Sequence, residues 1–179
     1  MNRVFFTDRD LGKQFPGILA AAGLQVERAA DHFVHNTPDT QWLESVGRRG
    51  WVVITHDGRI RYKPNELAAV IQHGVALLVV IGQLPLPQLA RHFVATLARI
   101  EAFLAAHAPP FIAKVYRPSP AELAKNSNAI GGVTLWYPQR KSREDARDLV
   151  RRSRARSKLT EGQALPLAQQ QVRAVRRKP

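Results

Sequence analysis

Short apolar runs alternate with helix-patterned stretches over the first two-thirds of the chain. Val4-Phe5-Phe6-Thr7 predicts a strand, and Lys13 to Ala22 predicts a helix with Pro16 in its first turn and Gly23 as its left-handed stop. Leu24 to Glu27 predicts a second short strand. Thr37-Pro38-Asp39 is patterned as a helix opening, Thr37 as N-cap and Pro38 at the first helical position. Trp42, Leu43 and Val46 form its inward stripe, and Gly47 and Gly50 are expected to stop it. Trp51 to Thr55 is apolar on both faces, as a central parallel strand requires. Pro64-Asn65-Glu66 opens a helix that ends at His73-Gly74, and Ala76 to Ile81 predicts another buried strand. Leu89, Phe93, Leu97, Ile100 and Leu104 recur at steps of three and four, which predicts one long amphipathic helix from Pro87 to His107. Phe111 to Tyr116 predicts the last strand of the series.

This alternation predicts an α/β fold: a doubly wound, mainly parallel sheet flanked by helices, with right-handed crossovers. The ligand site is then expected outside the carboxyl ends of the strands. Beyond Tyr116 the pattern dissolves. Arg117-Pro118-Ser119-Pro120 reads as a linker or turn, Val133 to Tyr137 as a lone strand, and Ser142 to Lys158 as a charged helical stretch. The expected organisation is a domain over 1–117 and a basic extension over 118–179, partly helical or disordered.

With 179 residues and 45% hydrophobic content, the chain can bury the core of one such domain. Cysteine is absent, which excludes disulfides, thiolate zinc sites and a cysteine nucleophile. The first residues turn acidic at Asp8 before a signal-peptide core can form, and the longest apolar run, Val75 to Gly82, is too short to span a bilayer. A soluble cytoplasmic protein without membrane contact is the expectation. The net charge of +13 is unevenly spread. Through Tyr116, 12 basic and 9 acidic side chains leave +3, whereas 15 against 5 from Arg117 onward leave +10. Such a basic segment beside a nearly balanced domain is the footprint of a polyanionic partner, or else a solvated tail.

Three aspartates stand where the expected sheet converges. Asp8 follows the first strand, Asp57 follows the Trp51–Thr55 strand after His56, and Asp39 sits in the first turn of the helix leading into that strand. Neighbouring parallel strands would bring Asp8 and Asp57 to one edge with Asp39 close by. Two unit charges about 4 Å apart repel by roughly 4 kcal/mol at an effective dielectric near 20, a cost that a divalent hard cation relieves. Oxygen ligands without cysteine favour Mg²⁺ or Mn²⁺ over Zn²⁺. Taken singly, Asp39 also reads as a helix-dipole partner, and Asp57-Gly58 as a turn.

Phe6-Thr7-Asp8-Arg9-Asp10-Leu11-Gly12, Pro38-Asp39-Thr40-Gln41-Trp42-Leu43 and Val53-Ile54-Thr55-His56-Asp57-Gly58-Arg59 together resemble the PIN-like domain, in particular its short VapC-related branch. The likeness runs from about Val4 to Tyr116. It implies a Mg²⁺- or Mn²⁺-dependent ribonuclease, often the toxin of a toxin–antitoxin pair, with its acids at Asp8, Asp39 and Asp57. It also implies RNA as substrate, an antitoxin protein as partner, and a homodimer. The family's fourth acidic or polar residue has no counterpart in Gly58-Arg59-Ile60-Arg61. Asp10, Asp31 or Glu66 can substitute, and Glu66, which opens the next helix on the same edge, is the preferred candidate.

Arg9, Lys13, Arg59 and Arg61, with Lys63, flank these acids and are candidates for holding phosphate oxygens. Arg59 and Arg61 alternate, so one is expected to face the edge and the other solvent. Trp42 and Trp51 read as core, His32 and His35 as loop residues, and His56 as structural. The clusters Arg140–Arg143 and Arg151–Arg156 suit non-specific phosphate binding or an acidic partner. Two rivals stand beside the nuclease. Asp8-Arg9-Asp10 imitates the nucleophile loop of haloacid-dehalogenase-type phosphohydrolases, but no acidic pair occurs until Glu144-Asp145. A catalytically silent nucleic-acid-binding module on a PIN-like scaffold also fits the missing fourth acid.

Overall fold

A computed structural model of the protein describes residues 3–138. Strands β1 (Val4–Thr7), β2 (Gln25–Arg28), β3 (Val52–Thr55), β4 (Ala76–Ile81), β5 (Phe111–Tyr116) and β6 (Gly132–Tyr137) form one sheet in the order β2-β1-β3-β4-β5-β6. The first five are parallel, and β6 runs antiparallel to β5. The expected α/β architecture, a mainly parallel sheet flanked by helices, is present.

Register explains why both faces are apolar. Phe6, Val53, Leu77 and Ile112 lie side by side across four strands, and their row faces a core with Trp42, Leu43 and Val46 of α3 (Asp39–Arg49) and Val70 of α4 (Pro64–Gln72). Ile54, Leu78 and Ala113 form the next row on the opposite face. There they meet Phe15 and Leu19 of α1 (Gln14–Ala21), Leu89 and Phe93 of α5 (Leu86–Ala95), and Ile100 of α6 (Leu97–Ala106). Each large aliphatic or Phe side chain of these rows, once buried, contributes about 1.5–3 kcal/mol, so a one-residue slip in any strand would exchange the two cores at large cost.

Four expectations are corrected. The single helix over Pro87–His107 is two, α5 and α6, separated at buried Thr96. The Thr96 hydroxyl donates to the His92 carbonyl at 2.7 Å, a back-bond that competes with the helical ladder. The helix expected to be capped by Thr37 starts one residue later: Pro38 is the N-cap position, while the Thr37 hydroxyl donates to the Val34 carbonyl. Gly47 does not stop α3 but lies within it, where a Cβ would come 2.4 Å from the His73 carbonyl oxygen, and Gly50 alone takes the left-handed cap. His32, expected in a loop, ends the short helix α2 (Ala29–His32) and pairs with Glu27 at 2.7 Å.

The segment after Tyr116 is more ordered than its pattern suggests. Ser119 and Glu122 build a reciprocal capping box on α7 (Pro120–Lys125), and β6 then completes the sheet. The boundary expected after Arg117 therefore falls inside the sheet. The charged stretch Ser142–Lys158 and the two arginine clusters lie outside the described residues. Among the described residues, no helix is long and apolar enough to cross a membrane.

The entry into β6 threads a tight passage. A Cβ on Gly131 would sit 2.0 Å from the Tyr116 carbonyl oxygen and 2.7 Å from the Thr96 hydroxyl, whereas Gly17 on α1 has open space. Gly131→Ala is expected to destabilise the protein by about 1–3 kcal/mol through overpacking. Gly17→Ala should stabilise α1 by roughly 0.5–1 kcal/mol. Urea unfolding of the two variants checks the contrast, and equal midpoints would show that the passage can relax.

Candidate active site

Strand order reverses beside β1: the chain leaves it for β2 on one side and returns to β3 on the other. In open α/β sheets this switch point leaves a crevice at the carboxyl ends of the strands. Asp8 follows β1 and Thr55 ends β3 here, the two strand ends joined by a backbone hydrogen bond from Asp8 N–H to the Ile54 carbonyl at 2.9 Å.

Thr55 organises the first half of the site. Its buried hydroxyl lies 3.0 Å from Asp8 Oδ2 and 3.0 Å from Asp10 Oδ2, and it accepts the Asp57 N–H at 3.1 Å. One hydroxyl proton cannot serve two carboxylates. Asp8 also accepts the Arg9 N–H at 2.6 Å, and Asp10 accepts the His56 N–H at 2.7 Å. Burial, then the charge of Asp10, pushes Asp8 up to about 6 despite these donors. Asp10 is exposed as a residue, but its carboxyl group is turned in against Thr55 and His56, and that desolvation raises it as well. His56 faces away, its Nδ1 2.7 Å from the Val80 carbonyl, in keeping with a structural role.

Asp39 and Glu66 make the second half, from the first turns of α3 and α4. Asp39 Oδ1 accepts the indole N–H of buried Trp42 at 2.9 Å, which fixes its direction. Glu66 Oε1 lies 3.0 Å from Lys63 Nζ, while its Oε2 is buried with no hydrogen-bond partner. Burial raises the Glu66 carboxyl, Lys63 opposes the rise, and the adjacent Asp39 charge adds to it. The two halves are in electrostatic contact, since the Asp39 charge also raises Asp8.

Asp57 is placed differently. It caps the 3₁₀ turn Gly58–Tyr62, with Oδ1 accepting the Arg59 N–H at 2.9 Å and Nε at 3.1 Å, and Oδ2 taking Lys63 Nζ at 3.1 Å. Its partial burial is outweighed by these donors, which hold the carboxyl below its ordinary value. Glu66 and Asp57 in turn raise the Lys63 ammonium. The acids thus form a chain, Asp10–Thr55–Asp8–Asp39–Glu66–Lys63–Asp57. Asp31 stands apart, exposed and 3.6 Å from Arg28. Thr55 and Lys63 as organising residues were not recognised from sequence; the signal for Thr55 is a hydroxyl ending an otherwise apolar strand.

Of the candidate phosphate ligands, Arg9 and Lys13 line a cleft of about 270 Å³ beside Asp8, together with Arg28 and His35. The Arg9 guanidinium donates to the Phe33 carbonyl. Arg59 extends into solvent beyond Asp57, whereas the Arg61 guanidinium is stacked between Tyr62 and Trp136.

Among the described residues no three acids converge, as placed, to hold a metal ion. The donor chemistry nevertheless fits a hard cation. Mg²⁺ needs one or two carboxylates and keeps its waters, and the unpartnered Glu66 Oε2 beside Asp39 calls for a proton or a cation.

The raised Asp8 carboxyl has a consequence for stability. Its contribution is fully present below pH 3.8 and is lost as pH rises through about 6, where the buried group must ionise. Asp8→Asn should therefore melt higher than the metal-free wild type at neutral pH, by on the order of 4 °C. The gap should shrink as pH falls from about 6 to 3.8. Thermal unfolding in EDTA across this range measures it, and a gap independent of pH would contradict the assignment.

No curated protein and no solved structure matches the chain. Residues 3–82 match the model of a family described as a PIN like domain, a span that ends after β4 and carries every acid of this site.

Proposed function

We propose that the protein is a Mg²⁺- or Mn²⁺-dependent endoribonuclease working at the switch point of the sheet. The observation that carries this reading is the unfinished electrostatics of the acid chain. Glu66 Oε2 lacks a donor and Asp8 is pushed up to about 6, both conditions that a bound cation removes. Asp8, with Asp39 and Glu66 across the crevice, would hold the ion, and Asp10 with Thr55 would orient Asp8. When bound, such an ion supplies an activated water and takes up charge on the phosphate. Lys13 and Arg9, which line the adjoining cleft, would hold phosphate oxygens. Lys63 keeps Glu66 and Asp57 aligned.

A second reading has its own support. The Lys63 ammonium already neutralises part of the cluster, and no three acids converge, as a silent nucleic-acid-binding module would allow. The likeness to the VapC-related branch extends the first reading to a toxin in the cytoplasm, held by an antitoxin.

Purified protein is expected to cut labelled RNA with Mg²⁺ or Mn²⁺ and not in EDTA. Asp8→Asn and Glu66→Gln should each slow cleavage by about a hundredfold or more. Salt-sensitive binding without cutting under every metal would favour the silent module. For the toxin role, expression should arrest growth and Asp8→Asn should abolish the arrest; arrest that persists in Asp8→Asn would remove it.

A further inference from the structure

The 3₁₀ turn Gly58–Tyr62 leads from Asp57 to Lys63, so it borders the acids at both ends. In this geometry side chains three apart eclipse one another. Ile60 is buried and Lys63 turns back to Asp57 and Glu66, which leaves Arg59 and Tyr62 together on the solvent side. Tyr62 is 67% exposed, and the Arg59 side chain is 82% exposed with only its Nε bound to Asp57.

Beneath this pair lies a stack of cations and rings. The Arg61 guanidinium carbon sits 4.1 Å from the Tyr62 ring centre and 3.8 Å from that of Trp136, and Lys114 Nζ lies 5.1 Å from Trp136. Arg61 Nε is buried without a partner. An exposed ring backed in this way keeps one open face toward solvent. A solvent-facing aromatic ring, backed by one guanidinium and flanked by another, stacks a base and holds its phosphate. A paired base has no free face for it.

We infer that Tyr62, with Arg59 and the Arg61–Trp136 stack, forms a platform for an unpaired base of single-stranded nucleic acid. That the strand is RNA rests on the ribonuclease reading above; the platform itself requires only an unpaired base and a phosphate.

Binding of a short labelled oligouridylate to the full chain in EDTA, read by fluorescence anisotropy, tests this apart from cleavage. Tyr62→Ala is expected to weaken binding by about tenfold, and Tyr62→Phe to retain it. Tyr62→Leu, which keeps bulk without the ring, should behave as Tyr62→Ala, with circular dichroism confirming the fold. The same strand annealed to its complement should not feel these changes. Arg59→Ala should flatten the salt dependence by a slope of roughly 0.7, one phosphate contact on a single strand. Photocrosslinking of 4-thiouridine in the strand should mark Tyr62. Unchanged binding by Tyr62→Ala, or an equal loss on the duplex, overturns the platform. Metal-dependent cleavage with no Tyr62 effect would leave the nuclease standing alone. Tyr62-dependent binding without cleavage under any metal would do the reverse.

Discussion

Asp8 and Asp10 share one hydroxyl, and Glu66 and Asp57 share one ammonium. Like charges at such spacing repel by several kcal/mol at the effective dielectric of a protein edge. The local architecture answers that repulsion piece by piece. Backbone N–H groups of Arg9, His56 and Arg59 point at carboxylate oxygens, the Trp42 indole steadies Asp39, and Lys63 bridges Asp57 to Glu66. The answer is incomplete at two places, the shared Thr55 hydroxyl and Glu66 Oε2. Both lie toward the centre of the acid chain rather than at its Asp57 end. The incomplete set of partners there is maintained by packing elsewhere.

That packing is the sheet register. The row Phe6, Val53, Leu77 and Ile112 and its counterpart Ile54, Leu78 and Ala113 hold β1 and β3 side by side, with their carboxyl ends level. Level strand ends put the residue after β1 within reach of the last residue of β3. Reversal of strand order then keeps the crevice between them open, because consecutive connections leave β1 in opposite directions. The helices complete the site by their first turns: α3 and α4 begin at this edge, which is why an acid at each start meets the others.

Much of this was legible because long apolar runs have few alternatives. Val4–Thr7, Ala76–Ile81 and Phe111–Tyr116 are strands with the expected bounds. The expectation of Asp8, Asp57 and Asp39 on one edge, with Glu66 beside them, needed β1 and β3 to be neighbours, which strand–helix alternation does not supply and the sheet order does. What stayed hidden depended on contacts distant in sequence. The apolar stripe runs through Thr96 without interruption, and the break there accompanies the close approach of Gly131. Residues 132–137 look isolated in sequence, since their partner β5 lies beyond a capped helix and a Gly-Gly entry. Thr55 is invisible as a site residue until two carboxylates from the β1 loop are seen to converge on its hydroxyl.

The respective settings of Asp57 and Asp10 follow from the same accounting of donors. Asp57 has the sequence position of a third acid, yet both its oxygens already face cations and an N–H, and the carboxyl is held low. A carboxylate so satisfied gains less from a metal than one that is not. Asp10, two residues beyond Asp8, has neither a lysine nor an arginine hydrogen-bonded to it, shares its hydroxyl with Asp8, and is raised by burial despite the nearby His56. Asp57 spends its oxygens on shaping the turn Gly58–Tyr62, and that turn presents Arg59 and Tyr62 outward and Lys63 inward. One aspartate thereby couples the acid chain to the aromatic and basic surface beside it: whatever displaces Asp57 from Arg59 and Lys63 must disturb both.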